Sequence, residues 1–287
     1  MRTRFAPSPN GALHLGHAYA AMQAHDLARQ LGGAFLLRIE DIDGVRSRPE
    51  LVEAILADVR WLGLDWDGDV LFQSSRLAAY DTALAELKAR GLVYPCFCTR
   101  SQIAAGGAQP GPEGLVYPGT CRALSDGERV DRIAREPHAW RLDVGKALAQ
   151  TGALVWHDMA AGEQAAKPAL FGDVVLARKD APASYHLAVT LDDAHQQISH
   201  VVRGRDLFLA THVHRLLQAL LGLPVPLYRH HRLLAGADGR KLAKSEGAAA
   251  LAGLREQGVD GPSLLENLRK GLLPSGISWA EPSYSVA

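Results

Sequence analysis

The chain has 287 residues, 47% of them hydrophobic and 22% charged, enough for one large or two modest domains with a real core. Basic and acidic side chains number 31 each; a net charge of +0 excludes a bulk polyanion binder and leaves any nucleic-acid contact to a local basic patch. No apolar run approaches the roughly 18 residues that span a bilayer, Pro7 and Pro9 interrupt a signal-peptide core, and three cysteines make a poor disulfide framework. A reducing cytoplasm without membrane contact is the expectation.

Residues 2–6 read as a short strand that Pro7, Pro9 and Gly11 break. Residues 13–31 then carry helical spacing, so His14 and His17 fall on one side of a first helical turn. That turn offers backbone N–H groups and the positive end of the helix dipole, and imidazoles there can donate to phosphate without a permanent charge. Strand, tight turn and helix start are how an α/β fold holds phosphate. Residues 34–39 form a buried-type strand closing in Glu40-Asp41-Ile42-Asp43, either carboxylates aimed into a ligand crevice or a solvated acidic loop. Helices are predicted over 49–62 and 77–90, the second stopped by Gly91, with Trp61 and Trp66 as packing residues.

Tyr94-Pro95-Cys96-Phe97-Cys98 opens a different region. In extended chain Cys96 and Cys98 face one side, and Cys121 follows beyond a Gly/Pro-rich loop over 104–114. Three thiols in this arrangement suit tetrahedral zinc, and three reduced buried thiols are the alternative. His138 and His157 are chemically ordinary candidates for a fourth ligand, His157 reading as a surface residue. Residues 142–164 carry little signal. Residues 173–178 read as a strand. Tyr185-His186-Leu187-Ala188-Val189-Thr190-Leu191 closing in Asp192-Asp193 reads as a parallel strand aimed at the crevice, and 198–207 repeats the theme, with Arg203 near its end. A helix is predicted over 210–221, with His212 and His214 on different faces. Arg229-His230-His231-Arg232 is a basic stretch facing phosphate or water. Lys241-Leu242-Ala243-Lys244-Ser245 follows a Gly/Asp turn, and Leu264, Leu265, Leu268 and Leu272 mark a final amphipathic segment.

His14-Leu15-Gly16-His17 and Lys241-Leu242-Ala243-Lys244-Ser245 resemble the HIGH and KMSKS signatures of class I aminoacyl-tRNA synthetases. Arg4-Phe5-Ala6-Pro7-Ser8-Pro9 with Gly11, and Arg38-Ile39-Glu40-Asp41-Ile42-Asp43, resemble the glutamyl and glutaminyl branch, although Asn10 stands where that branch usually has Thr. The resemblance runs from Arg4 to Ser245. It implies an α/β fold: a Rossmann-type parallel sheet with an inserted zinc-containing subdomain and a short helical C-terminal region. The implied boundaries are 1–95 for the first half of the nucleotide fold, 96–169 for the insertion, 170–222 for the second half, and 223–287 for the KMSKS-like loop and helices.

The resemblance further implies glutamate contacts from Arg4, Phe5, Ala6, Pro7, Ser8, Glu40, Tyr185 and Arg203. In that set the Arg4 and Arg203 forks meet two carboxylates, Glu40 pairs the ammonium and Tyr185 adds a hydrogen bond. ATP would be held by His14, Gly16, His17 and Lys244, and His14, His17, Lys241 and Lys244 would be catalytic. The pattern C-x-C…Y-x-x-x-C implies one structural zinc on Cys96, Cys98, Tyr117 and Cys121, and Mg²⁺ would accompany ATP. Only residues 246–287 follow the second signature, so no anticodon-binding domain is expected. The chain then resembles the stand-alone paralogues of the branch, monomers that activate glutamate with ATP and transfer it to queuosine in the anticodon of tRNA(Asp). A shortened ordinary synthetase charging the 3′ end of tRNA(Glu), and a catalytically dead zinc-stabilised RNA-binding module, are the other two readings.

Overall fold

The structure is a computed structural model and describes residues 1–44, 46–242 and 250–281. Arg2–Phe5, buried at every position but Arg2, forms β1, and the proline-rich turn leads into α1 (Leu15–Gln30). The apolar run after it becomes β2 (Ala34–Ile39), and α2 (Pro49–Trp61), β3 (Leu71–Phe72) and α3 (Leu77–Ala89) complete the first half. β1, β2 and β3 are parallel neighbours in that order.

The next stretch is built differently. It holds β4 (Val93–Cys96), α4 (Arg100–Ala105), the short hairpin β5 (Pro110–Gly111) and β6 (Gly114–Leu115), α5 (Asp126–Ile133), β7 (Ala139–Leu142) and α6 (Val144–Thr151). β8 (Val155–Asp158), β9 (Gly162–Ala165) and β10 (Val175–Ala177) follow. The loop expected over 104–114 therefore contains the end of α4, all of β5 and the first residue of β6. The strand expected over 173–178 forms, but it pairs antiparallel with β7, which pairs with β4 in a sheet apart from the parallel one.

The second half begins with a correction. Residues 185–193 are not a strand but the start of α7 (Tyr185–His195). Ser184 caps it, its hydroxyl accepting from Leu187 N. The helix is buried on most of its circumference, so its apolar residues run together without the spacing that would betray a helix. Then come β11 (His200–Gly204), α8 (Ala210–Leu220), β12 (Leu227–His231) and β13 (Leu234–Ala235). β11, β12 and β8 are parallel neighbours, with β9 antiparallel on the outer edge. β11 lies against β1: Ser199 N donates to Arg2 O at 3.1 Å, and an Arg4 Nη1–H donates to Val202 O at 3.2 Å. The strand sequence across the molecule is thus β3, β2, β1, β11, β12, β8. In such a doubly wound sheet the chain leaves β1 and β11 on opposite sides, opening a crevice at their carboxyl ends.

α9 (Leu251–Glu256), α10 (Gly261–Arg269) and β14 (Ser278–Trp279) close onto the first half. Leu264, Leu265 and Leu268 enter the core around α1 and β2, whereas Leu272 is exposed, because α10 ends at Arg269. Gly261 permits this docking: a Cβ there would lie 2.1 Å from Trp61 O.

Candidate active site

A cavity of about 680 Å³ occupies the crevice between β1 and β11. It is lined by Arg4, Phe5, Ala6, Pro7, Ser8, His14, Gly16, His17, Glu40, Tyr185, Arg203 and Lys241, twelve positions singled out from sequence, drawn from both halves of the chain. Lys244 lies outside the described residues. Both flanks of its segment are placed: Lys241 lines the cavity and Ala250 bridges antiparallel to His14.

His14 caps α1. Its Nδ1 accepts Gly16 N–H at 3.1 Å, and its own N–H is accepted by His17 Nδ1 at 3.1 Å. A backbone N–H can only donate, so both imidazoles are neutral with their protons on Nε2. The ring centroids are 3.9 Å apart. Two Nε2–H donors, on rings tilted by 49°, thus stand at a helix N-terminus, which suits phosphate oxygens. Gly16 makes the cap possible, since a Cβ there would sit 3.0 Å from His14 Cε1.

The two guanidinium groups differ. Arg4 is not an open fork: its Nε and Nη2 donate to the two carboxylate oxygens of Asp193 at 2.9 and 3.2 Å. Asp193 Oδ1 also accepts from Arg38 Nη1 at 2.9 Å, and the two arginines, outweighing burial, hold this carboxyl below its ordinary range. Arg203 is equally buried but has no carboxylate within ion-pair distance among the described residues. Its Nε donates to His230 Nε2 at 3.1 Å, Nη1 to Tyr185 Oη at 3.3 Å and His214 Nδ1 at 3.1 Å, and Nη2 to Thr211 Oγ1 at 2.6 Å. A buried cation with only neutral acceptors favours an anion beside it.

Glu40 follows β2 and lies 3.6 Å from Arg38 Nη2. Burial pushes its carboxyl up to about 7, against the pull of Arg38 and Arg4. An incoming ammonium group would restore the charged form. Lys241 pairs with Asp206, which lines the same cavity.

Asp193, Thr211, His214 and His230 were missed from sequence as parts of this site. The pair Asp192-Asp193 did signal the crevice, but from a supposed strand end. In α7, Asp193 turns toward Arg4 and Arg38 while Asp192 accepts from Gln73, Arg76 and Tyr80 on the other side. His230 belongs to the basic stretch 229–232, whose first three residues end strand β12; its ring is buried and faces Arg203 rather than water.

In the insertion, Cys96, Cys98 and Cys121 place their sulfurs within 4.8 Å of one another. Cys98 Sγ lies 3.5 Å from Cys121 Sγ and 3.5 Å from Tyr117 Oη. Tetrahedral zinc with about 2.3 Å bonds to sulfur and about 2 Å to oxygen needs S···S and S···O edges of about 3.5–3.8 Å, which the Cys98–Cys121 and Cys98–Tyr117 separations match; the three-cysteine group could hold a metal ion. Tyr117 Oη accepts Cys121 N–H at 2.7 Å, which presents the phenol oxygen to the thiols. Neither His138 nor His157 joins this group: His138 packs on Phe97 and Trp140, and His157 is exposed. A second cavity of about 640 Å³ lies between this subdomain and α7, sharing Tyr185 with the first.

Residues 1–278 match the family described as tRNA synthetases class I (E and Q), catalytic domain. The chain is 49% identical over 269 residues to a glutamyl-Q tRNA(Asp) synthetase of Rhodobacter capsulatus, covering 90% of this chain and 96% of that one. To the protein of the same name from Symbiobacterium thermophilum it is 46% identical, covering 92% and 84%. Among solved structures, the glutamate-tRNA synthetase of Elizabethkingia anophelis superposes with a TM-score of 0.76 at 26% identity. That match covers 93% of this chain and 60% of the other, so the chain spans less than two thirds of that enzyme. Among the described residues no helix is long and apolar enough to cross a membrane.

Proposed function

Because the chain belongs to the class I tRNA synthetases of the glutamate and glutamine type, and within them to the glutamyl-Q tRNA(Asp) synthetases, we propose that it activates L-glutamate with ATP and transfers it to queuosine in the anticodon loop of tRNA(Asp). The observation that carries the glutamate assignment is Arg203, a buried guanidinium at the cavity wall with neutral partners only. The side-chain carboxylate of the substrate supplies the missing charge. Glu40, ionised, takes the ammonium group, and Tyr185 adds a hydrogen bond. Phe5, Ala6, Pro7 and Ser8 shape the wall beside them, and Arg4 contributes the remaining N–H of Nη1 and Nη2 that Asp193 and Val202 O leave over.

One oxygen of the glutamate α-carboxylate attacks the α-phosphorus of ATP, the bond to the bridging oxygen breaks, and pyrophosphate leaves; Mg²⁺ accompanying ATP would offset charge on the phosphates. His14 and His17 donate their Nε2–H to phosphate oxygens whose charge grows in the transition state, Gly16 lets the chain approach, and Lys241 and Lys244 add positive charge. A hydroxyl of the queuosine ring then attacks the acyl carbon; AMP leaves and the hydroxyl proton passes to solvent. The rate comes from placement and electrostatics, since no side chain forms a covalent intermediate. Cys96, Cys98, Tyr117 and Cys121 would hold one zinc ion, which ties the subdomain together and has no open position for chemistry. One zinc per purified chain is the expected metal content. Cys121→Ser should lower the melting temperature before it lowers exchange activity.

Relatives of 46–49% identity that carry this name over 84–96% of their length favour this acceptor over the 3′ end of tRNA(Glu), and over a dead RNA-binding module. The test is labelled glutamate offered to an anticodon stem-loop of tRNA(Asp) with and without queuosine. Label on the modified stem-loop alone is the expected result. Label only on the 3′ adenosine of tRNA(Glu) would overturn it.

A further inference from the structure

The contacts of Arg203 reveal the proton positions in two histidine chains. Arginine only donates, so His214 Nδ1, 3.1 Å from Arg203 Nη1, is the bare nitrogen of its ring, and the proton sits on Nε2. That Nε2 lies 3.2 Å from His186 Nδ1 and must donate to it. His186 therefore carries its own proton on Nε2, which donates to Glu113 Oε2 at 3.1 Å. The same rule runs the other way round the guanidinium. Arg203 Nε donates to His230 Nε2, and His230 Nδ1 donates to Asp158 Oδ2 at 2.8 Å. Burial first, and then Arg203, push His214 well below the ordinary imidazole value; burial, against the pull of Asp158, takes His230 down to about 4. Both rings are neutral.

The two arms end differently. Asp158 is in the core and is further fixed by Ala160 and Ala161 N–H, each at 2.9 Å. Glu113 sits in the turn between β5 and β6, its side chain 48% exposed, and lines the second cavity together with His186. One anchor of Arg203 is thus rigid, and the other belongs to the inserted subdomain.

We propose that Glu113, acting through His186 and His214, is a positioning residue for Arg203: a carboxylate on the insertion sets the hydrogen-bond direction that holds the guanidinium toward the amino-acid cavity. The inference rests on the reading of Arg203 as the partner of the substrate side-chain carboxylate. Without an acceptor at position 113, His186 can move its proton to Nδ1. That proton then meets His214 Nε2–H, and relieving the clash moves the His214 proton to Nδ1, against an arginine donor. Either way Arg203 loses an acceptor and its orientation. A counter-charge role would act with the opposite sign, because removing a negative charge strengthens the pull of Arg203 on an anion.

The experiment uses the full chain. With ¹⁵N-labelled histidine, NMR should find His214 and His186 both protonated on Nε2, and Glu113→Ala should mix their tautomers. In glutamate-dependent ATP–pyrophosphate exchange, Glu113→Ala should raise KM for glutamate about fivefold with kcat within about twofold, the size of one lost hydrogen bond. Glu113→Gln, whose amide can satisfy either tautomer, should fall between. The double variant Glu113→Ala with His186→Leu should be no worse than His186→Leu alone. A proton on His214 Nδ1 in the unaltered protein, a KM unchanged or lowered in Glu113→Ala, or additive effects in the double variant would each overturn the relay. Absence of glutamate-dependent exchange in the unaltered protein would instead defeat the proposed function, while the tautomer measurement still decides the relay.

Discussion

Arg4 and Arg203 occupy equivalent places, each on a central parallel strand, one on either side of the crevice, and each is almost fully buried. Arg4 is neutralised by Asp193, which also serves Arg38. Arg203 is surrounded by imidazole, phenol and hydroxyl groups. The difference separates scaffolding from reception. A guanidinium already paired with a carboxylate is held in place and has little left to offer. One held in place by neutral acceptors keeps its charge for a ligand, at a cost in stability of the empty site.

The sharpest way to break this comparison is Asp193→Asn. It leaves Arg4 and Arg38 buried without their shared counter-charge, and the loss should be about 3–5 kcal/mol in denaturant unfolding. A loss under about 1 kcal/mol would mean that Asp193 is not what holds Arg4. Arg203→Lys should behave the opposite way. No ion pair is broken, so the loss of stability should be smaller, about 1–3 kcal/mol from the buried acceptors that lose a donor, while kcat/KM for glutamate in pyrophosphate exchange should fall about a hundredfold, because a point charge cannot reproduce the fork. Equal losses of stability and activity in both variants would erase the distinction.

Glu40 sharpens it through pH. Its folded value of about 7 lies above the ordinary 4.5, so its ionised form is disfavoured by folding, and the stability effect is a loss as pH rises from about 4.5 to about 7. Ammonium binding needs the ionised form, so KM for glutamate should rise about tenfold between pH 8 and pH 6. Glu40→Gln should flatten that profile at a high KM; an unaltered slope would remove Glu40 from the ammonium site. The smallest effect is expected from Tyr185→Phe. Its one 3.3 Å contact with Arg203 is worth about 1 kcal/mol, or about a fivefold rise in KM with unchanged stability.

Much of the site was legible because its residues sit in local motifs. The turn before α1, the strand ending at Glu40 and the lysine signature at Lys241 each announce themselves through breakers, caps and apolar runs. α7 was not legible as a helix. Its apolar run is short, contains Val189 and Thr190, and is buried nearly all round, conditions under which period cannot separate helix from strand. Ser184, a good N-cap, was the one local sign available.

The amino-acid sequence by itself placed His14 and His17 on one helical turn and Cys96 and Cys98 on one side of an extended chain, since each follows from spacing within a few residues; the glutamate contacts and the full thiol set were expected only from the resemblance. It also marked β1 and β2, though not the two-residue β3 (Leu71–Phe72). Only the tertiary structure decided what those charges are free to do. Arg4 finds Asp193 across 189 positions of chain, and Arg203 reaches His230 across 27, by strand order and helix packing that no local pattern encodes. Whether a buried arginine is a strut or a receptor depends on the partner that folding brings to it, because in a medium that excludes water the nearest carboxylate settles how much of the charge remains available.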